Sequence, residues 1–178
     1  MPLQLPDSAE LVVSAAEVEA AYDRMAAEIN GQYGEEPLLL LTVMNGGMIA
    51  AAHLAVRLNM PVQLDYLHVS RYRGATRGGD ELHWIHRPQH ELADRNLLIV
   101  DDILDEGPTL GAIIRYCEEH GAASVRSAVL VAKRHDRRVP GIHADFVGLE
   151  VEDRYLFGCG MDYKDDFRHL PAIYAIDP

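Results

Sequence analysis

The sequence predicts an α/β fold in which a mostly parallel central sheet is flanked by helices. Two segments, 38–43 and 96–100, are almost continuously apolar, as are strands that are buried on both faces of a sheet. Each is followed by a glycine-containing turn and then by a helical pattern. This alternation of strand and helix is typical of parallel sheets, and 178 residues are enough for one such domain.

The first helix is predicted to begin after Ser14. In a capping box, the Ser14 side chain accepts a hydrogen bond from the backbone of Glu17, and the Glu17 carboxylate accepts one from the Ser14 amide. Apolar residues then recur at helical spacing, namely Val18, Ala21, Tyr22, Met25 and Ile29. Asn30-Gly31 predicts the end of this helix.

The remaining elements follow from the same kinds of pattern. Strands are predicted over residues 38–43, 62–69, 81–86, 96–100 and 125–131, with short strand-like pieces over 146–149, 155–157 and 173–176. One helix is predicted over 48–58. A second runs from Pro108 to Gly121, since proline suits the first turn of a helix and glycine its end. Residues 71–79 are predicted to form a polar, glycine-rich loop.

Composition and charge argue against several classes of protein. The 28 acidic and 16 basic residues give a formal net charge of −12, which disfavours a general nucleic-acid-binding surface. Cys117 and Cys159 are too few for a disulfide framework and no signal-peptide pattern opens the chain, so a cytoplasmic location is expected. Segment 38–56 lacks Asp, Glu, Lys and Arg, but Asn45-Gly46-Gly47 in its middle favours a strand, a turn and a helix over a membrane span.

The most informative segment runs from 97 to 109. An apolar strand there leads to Asp101 and Asp102, then to Asp105 and Glu106, and then to a Gly-Pro-Thr turn onto a helix. Ligands of open α/β sheets bind at the carboxyl ends of strands. Backbone amides at such a turn can hold a phosphate, and the carboxylates upstream suit sugar hydroxyls or hydrated Mg²⁺. A solvated acidic turn that only caps the helix is the alternative interpretation.

This segment resembles the phosphoribosyl pyrophosphate (PRPP) signature of type I phosphoribosyltransferases. From about residue 38 onward the chain resembles, more narrowly, the hypoxanthine-guanine phosphoribosyltransferases. The resemblance implies a type I phosphoribosyltransferase-like fold with a single domain over 1–178, made of a core over about 14–145 and a small hood over about 1–13 and 146–178. It also implies a purine-salvage enzyme, a pentosyl-type glycosyltransferase that transfers phosphoribosyl from PRPP to N9 of hypoxanthine or guanine, giving IMP or GMP and pyrophosphate.

The resemblance further implies roles for the acidic segment. Asp101 and Asp102 would contact the ribose hydroxyls or their metal, and Asp105 would lie near purine N7 as the catalytic base or acid. The loop that wraps the 5′-phosphate would comprise Glu106, Gly107, Pro108 and Thr109.

Pyrophosphate and the closing loop are assigned by the same resemblance. The pyrophosphate residues would be Met44, Asn45, Gly46, Gly47 and Arg168, with a cis peptide bond before Asn45. The loop that closes over the reaction would begin at Ser70, Arg71 and Tyr72. Either Arg71 or Tyr72 would replace the tyrosine that usually follows this serine.

The purine would be bound by Lys133, Tyr155, Leu156 and Asp162. Lys133 would donate to O6, Tyr155 would stack on the base, and Leu156 would offer its backbone. The implied cofactor is Mg²⁺, held by Asp101, Asp102 and Asp162, partly through water. The implied partners are PRPP, 6-oxopurine bases, purine nucleotides and pyrophosphate, in a homodimer or homotetramer without nucleic acid or membrane.

A second hypothesis is a catalytically weak regulatory protein that senses PRPP or a nucleotide on the same fold. It is motivated by Glu106, Pro108 and Asn45, which depart from the usual family pattern. An assay for pyrophosphate release with several purines would discriminate the two hypotheses.

Two further patterns could indicate zinc or nucleic-acid binding, but the sequence favours other interpretations of both. Zinc binding by His83, His86 and His90 is disfavoured, because strand alternation would place His83 and His86 on opposite faces. The basic run over 133–138 is interpreted as a solvated loop or a subunit contact rather than a nucleic-acid patch.

Overall fold

The computed structural model describes residues 4–71 and 82–176 and confirms the α/β fold with a mostly parallel central sheet. The elements in chain order are β1 (Glu10–Val13), α1 (Ala15–Tyr33), β2 (Leu38–Met44), α2 (Met48–Ala55), β3 (Val62–Arg71), β4 (Leu82–His86), β5 (Asn96–Leu104), α3 (Pro108–Glu119), β6 (Ser124–Arg134), β7 (Phe146–Glu152), β8 (Tyr155–Phe157) and β9 (Ile173–Ile176). The large sheet has the order β4-β3-β2-β5-β6-β7, and only its β3–β4 pair is antiparallel.

The two central strands are buried on both faces, as their apolar sequences predict. Residues 38–43 of β2 and 97–100 of β5 are buried throughout. Helices α1 and α2 cover one face of the sheet, and α3 covers the other through Leu110, Ile113 and Cys117. The sheet is therefore the middle layer of the molecule, and its strand ends are free to form a site.

Helix boundaries follow the predictions at their starts better than at their ends. Glu17 Oε2 accepts a hydrogen bond from the Ser14 amide at 2.9 Å, which confirms the capping box. The predicted end at Asn30-Gly31 is wrong, because α1 continues to Tyr33 and ends at Gly34, whose φ is 59°. Similarly, α2 ends at Ala55 rather than at residue 58.

A small second sheet joins the two ends of the described chain in the order β1-β9-β8. Its strands are antiparallel, and Arg154 Nη1 lies 2.8 Å from Glu10 Oε2 beside them. The segment 146–152 was assigned to the hood, but as β7 it pairs in parallel with β6 of the large sheet. The C-terminal contribution to the small sheet therefore begins at Tyr155.

The uncharged segment 38–56 folds as β2, a turn and α2, as predicted. Among residues 4–71 and 82–176, no helix has the length and apolar character needed to cross a membrane. The histidines considered for zinc have other neighbours: the His86 ring stacks on Tyr66 at 4.2 Å between centroids, and His90 Nδ1 lies 2.8 Å from Asp65.

Asp65 fixes the loop that follows β4. Its buried carboxylate accepts hydrogen bonds of 2.7–2.8 Å from the backbone amides of Tyr66, Gln89 and His90, and it contacts the His90 ring. Burial alone would raise the pKa of Asp65, but these hydrogen bonds outweigh it and hold the pKa below its usual value of 3.8. The ionised carboxylate thus stabilises the folded chain.

We expect Asp65→Asn to lower the free energy of unfolding at pH 7 by about 1–3 kcal/mol, because an amide group would face donors that now bind a charge. Since the folded-state pKa is depressed, this contribution is present above the unfolded pKa and is lost as pH falls through the folded value. The gap between wild type and variant should therefore shrink below about pH 4 in urea titrations. Glu91→Gln, an exposed change in the same loop, is the control, and a gap that persists unchanged at pH 3 would contradict the assignment.

Candidate active site

Three neighbouring parallel strands, β2, β5 and β6, end at one edge of the large sheet. The turn over 44–47 follows β2, the acidic segment ends β5, and Lys133 lies near the end of β6. Because the carboxyl ends of parallel strands share an edge, residues far apart in the sequence meet here.

Asp101 and Asp102 belong to the strand itself. The prediction ended this strand at residue 100, but pairing with β6 continues through Ile103 and Leu104. Burial raises the pKa of both carboxyls, and for Asp101 the neighbouring charge of Asp102 raises it further. The buried Asp102 and the partly buried Asp101 are favourable in their ionised forms only if a cation or hydroxyl donors compensate them.

Helix α3 presents its N-terminus to a cavity lined by residues 101–110. Gly107, in the left-handed region with φ 87°, precedes Pro108 and has no side chain to cap the helix. The first amides of α3 are therefore available to an anion, with Thr109 beside them. The exposed Glu106 carboxylate lies 3.7 Å from Arg137 Nε, so a cation faces it.

The turn after β2 packs tightly against the acidic strand end. A cis peptide bond joins Met44 and Asn45, as the resemblance implies. A Cβ on Gly46 would lie 2.2 Å from Asp102 Oδ2, and one on Gly160 would lie 2.1 Å from the Gly46 carbonyl oxygen. Glycine at both positions is what permits these three segments to touch.

Arg168 connects the segment after β8 to the acidic end of β5. Its Nη1 donates to the Gly160 carbonyl at 2.6 Å and lies 4.0 Å from Asp102 Oδ2, while its Nη2 lies 2.6 Å from Asp162 Oδ1. The guanidinium is only partly buried, so one side of it remains open to a ligand. Arg168, Asp162 and Asp102 thus form one connected group.

A second cavity adjoins the first and shares Asp102, Ile103 and Asp105 with it. Its other lining residues are Lys133, Tyr155, Leu156, Met161 and Asp162. All four residues predicted to bind a purine therefore line one cavity. Strand β8 of the small sheet brings Tyr155 and Leu156 to it, and the Tyr155 side chain is exposed enough to accept a stacked ring.

Asp105 lies between the two cavities, and the side chains of Lys133 and His135 contact its carboxylate. Lys133 Nζ lies 2.9 Å from its Oδ2, and His135 Nε2 lies 2.7 Å from its Oδ1. Partial burial acts to raise the pKa of Asp105, but Lys133 and then His135 outweigh it and lower the pKa below 3.8. The carboxylate is thus held ionised.

Asp105, His135 and Asp153 place one ligand atom each within 4.8 Å of one another. Cations of the protein already occupy this cluster, since Lys133 Nζ lies 3.4 Å from Asp153 and Arg137 Nη1 lies 2.7 Å from it. We therefore interpret these residues as an ion-pair network rather than as a metal centre.

Sequence reasoning missed His135 and Arg137, because the run over 133–138 was interpreted as a solvated loop or subunit contact. Asp153 opens the tail 153–158 that was matched to the base pocket, but it received no role of its own. The available signal was spacing: side chains two residues apart at a strand end share a face, so His135 lies on the side of Lys133. Arg137 and Asp153 meet only through the tertiary fold.

The predicted closing loop is described only at its beginning. Ser70 is an exposed residue of β3 and pairs with His83 of β4. Arg71 ends β3, and Tyr72 lies outside the described residues. The assignment of this loop therefore stays a prediction.

The fold and the site define a protein of the phosphoribosyltransferase class. The sequence profile of the family described as the phosphoribosyl transferase domain matches residues 10–166, and the chain belongs to this family. The resemblance inferred from the acidic segment is thereby confirmed.

Individual relatives show which type of phosphoribosyltransferase this chain is similar to. The hypoxanthine-guanine phosphoribosyltransferase of Bacillus subtilis is 29% identical over 97% of this chain and 95% of its own length. That of Staphylococcus epidermidis is 28% identical, over 94% and 93% respectively. The structure of the hypoxanthine phosphoribosyl transferase of Trypanosoma cruzi superposes with a TM-score of 0.89 at 27% identity, covering 99% of this chain and 95% of the other.

Proposed function

We propose that this protein is a purine-salvage hypoxanthine-guanine phosphoribosyltransferase. It transfers phosphoribosyl from PRPP to N9 of hypoxanthine or guanine and gives IMP or GMP and pyrophosphate. The observation that carries the proposal is the pair of adjoining cavities that share Asp102 and Asp105, one beside the N-terminus of α3 and the other lined by Lys133, Tyr155 and Leu156. A phosphorylated sugar in the first cavity would present its anomeric carbon to a planar base in the second.

In the first cavity, the backbone over 106–109 and the Thr109 hydroxyl hold the 5′-phosphate, while Asp101 and Asp102 face the ribose hydroxyls. The turn over 44–47 and Arg168 hold the pyrophosphate. Arg168 suits this role because a guanidinium binds phosphate oxygens in a bidentate manner.

In the second cavity, Tyr155 stacks on the purine and Lys133 donates to O6. Two of the three Lys133 donors are directed at Asp105 and Asp153, which leaves one for the base. As N9 forms its bond to the anomeric carbon, the bond to pyrophosphate breaks and the Asp105 carboxylate accepts the N7 proton.

The acidic strand end fits a divalent cation, which we propose to be Mg²⁺. Asp101, Asp102 and Asp162 would supply the carboxylate oxygens that Mg²⁺ prefers. Burial raises the pKa of the Asp101 and Asp102 carboxyls, so a bound cation would stabilise their ionised forms. When bound, the ion neutralises charge on the pyrophosphate leaving group.

We further propose a cytoplasmic homodimer or homotetramer. The T. cruzi relative has a C-terminal region with a role in its oligomeric state and enzymatic activity. Here the C-terminal strand β9 forms the middle of the small sheet that carries Tyr155, so assembly and base binding would be linked through one element. Sedimentation velocity measures the assembly directly.

Pyrophosphate release is the deciding measurement. The protein is incubated with PRPP, Mg²⁺ and hypoxanthine, guanine, xanthine or adenine in turn, and nucleotide products are resolved by chromatography. We expect IMP or GMP, and complete loss of turnover with EDTA that excess Mg²⁺ restores. Nucleotide binding without turnover on any base would favour a regulatory sensor. That alternative is disfavoured because the relatives are named as transferases.

A further inference from the structure

His135 is buried in direct contact with the candidate catalytic carboxylate. It follows β6 immediately, only 4% of its side chain is exposed, and its Nε2 lies 2.7 Å from Asp105 Oδ1. Lys133 contacts the other carboxylate oxygen, Oδ2. The two oxygens of Asp105 thus have separate partners.

The second ring nitrogen of His135 determines how the first one acts. The backbone amide of Arg137 donates to His135 Nδ1 at 3.1 Å, so Nδ1 is an acceptor and carries no proton. The ring proton is therefore on Nε2, which donates to Asp105 Oδ1. A backbone hydrogen bond, rather than another side chain, selects this tautomer.

We propose that His135 is a positioning residue that holds the Asp105 carboxylate toward the purine independently of Lys133. The inference rests on the proposed function, in which Lys133 and Asp105 contact the same base. When Lys133 turns toward the purine oxygen, its bond to Asp105 weakens, and the hydrogen bond from His135 keeps the carboxylate in place.

The other groups near Asp105 do not replace His135. Arg137 Nη2 lies 3.8 Å from Oδ1, beyond hydrogen-bond distance, and the same guanidinium is engaged by Asp153 and faces Glu106. Arg138 Nε donates only to the backbone carbonyl of Asp105, at 3.4 Å. Among the described residues, Lys133 and His135 are the ones that bond the carboxylate itself.

Removal of the His135 Nε2 donor should change both kcat and the pH dependence of kcat. His135→Phe keeps an aromatic ring but has no donor, so we expect kcat to fall by about 10- to 100-fold with KM for PRPP unchanged. Because the lost hydrogen bond stabilises the ionised carboxylate, the acidic limb of the kcat–pH profile should move to higher pH. His135→Gln places an amide donor near the Nε2 position and should recover most of both effects.

Controls distinguish a positioning role of His135 from a purely structural role in packing. His120→Phe, at the far end of α3, should leave kcat and the acidic limb unchanged. Equal losses in the Phe and Gln variants with an unmoved acidic limb would overturn the proposal, as would wild-type kinetics in His135→Phe. Thermal unfolding of each variant shows whether it is folded under the assay conditions.

A measurement independent of turnover distinguishes failure of this proposal from failure of the proposed function. The side-chain carboxyl ¹³C signal of Asp105, assigned through Asp105→Asn, is titrated in wild type and in the His135 variants. We expect a higher midpoint in His135→Phe than in wild type or His135→Gln. A wild type without turnover would refute the enzyme function, whereas identical midpoints in all three proteins would refute the role of His135.

Discussion

Asp105→Asn should lower kcat for nucleotide formation by about 10²- to 10⁴-fold, the usual contribution of a general acid or base. An amide of nearly the same shape keeps the cavity walls but cannot accept the N7 proton. Since the proposed phosphate and pyrophosphate contacts lie elsewhere, at 106–109, 44–47 and Arg168, KM for PRPP should change little. Steady-state kinetics with hypoxanthine and guanine, at saturating Mg²⁺, measures both constants.

The control for this prediction is Asp153→Asn, which removes the other carboxylate partner of Lys133 while leaving Asp105 in place. It should change kcat by less than about tenfold, because a partly exposed ion pair contributes about 1 kcal/mol or less. Unchanged turnover in Asp105→Asn would remove Asp105 from the mechanism. Equal losses in the two variants would instead indicate that the pairing of Lys133 is what matters.

Much of the fold could be predicted because its signals are local. The apolar runs of β2 and β5 and the capping box at Ser14 each depend on a few adjacent residues, and all three are confirmed. The predicted end of α1 at Asn30 is wrong for a tertiary reason. The Asn30 side chain bonds the Arg57 carbonyl at 3.0 Å and the Asn59 amide at 2.9 Å, so it does not end the helix.

The extent of β5 and the placement of β7 depended on partners far along the chain. Acidic residues are unusual in a buried strand, so the predicted strand ended at residue 100, yet pairing with β6 continues through Leu104. Likewise, nothing within 146–152 indicates that this segment extends the large sheet rather than joining the small one. Register between distant segments is a tertiary property that a local pattern does not encode.

For the site, the resemblance supplied the acidic segment and the four purine residues, which the structure brings to two adjoining cavities, while their roles stay predictions. What it could not supply is the ion-pair network around Asp105. Lys133 was singled out as one of only two lysines, but its bonds to Asp105 and Asp153 emerge only from the fold. His135 shares that network and was passed over because its neighbours in sequence are charged.

Lys133→Met should reduce kcat/KM for hypoxanthine and guanine by about 10- to 150-fold, since a hydrogen bond from a charged donor contributes about 1.5–3 kcal/mol. Methionine fills similar volume without a donor, so the loss should be specific to bases that carry an oxygen at position 6. Activity with adenine, however low, should not fall in parallel, and the ratio of hypoxanthine to adenine turnover should therefore collapse. Competition assays with both bases in one reaction measure this ratio directly.

Lys164→Met is the matched control, because Lys164 is the other lysine of the chain and is exposed beside Tyr163 rather than in the base cavity. It should leave the ratio of hypoxanthine to adenine turnover unchanged. In Lys133→Met, Asp105 also loses a cation that lowers its pKa, so the acidic limb of the rate profile should move to higher pH as well. If the variant shows this pH shift but keeps the base preference of wild type, Lys133 acts only on Asp105. Another group would then recognise O6.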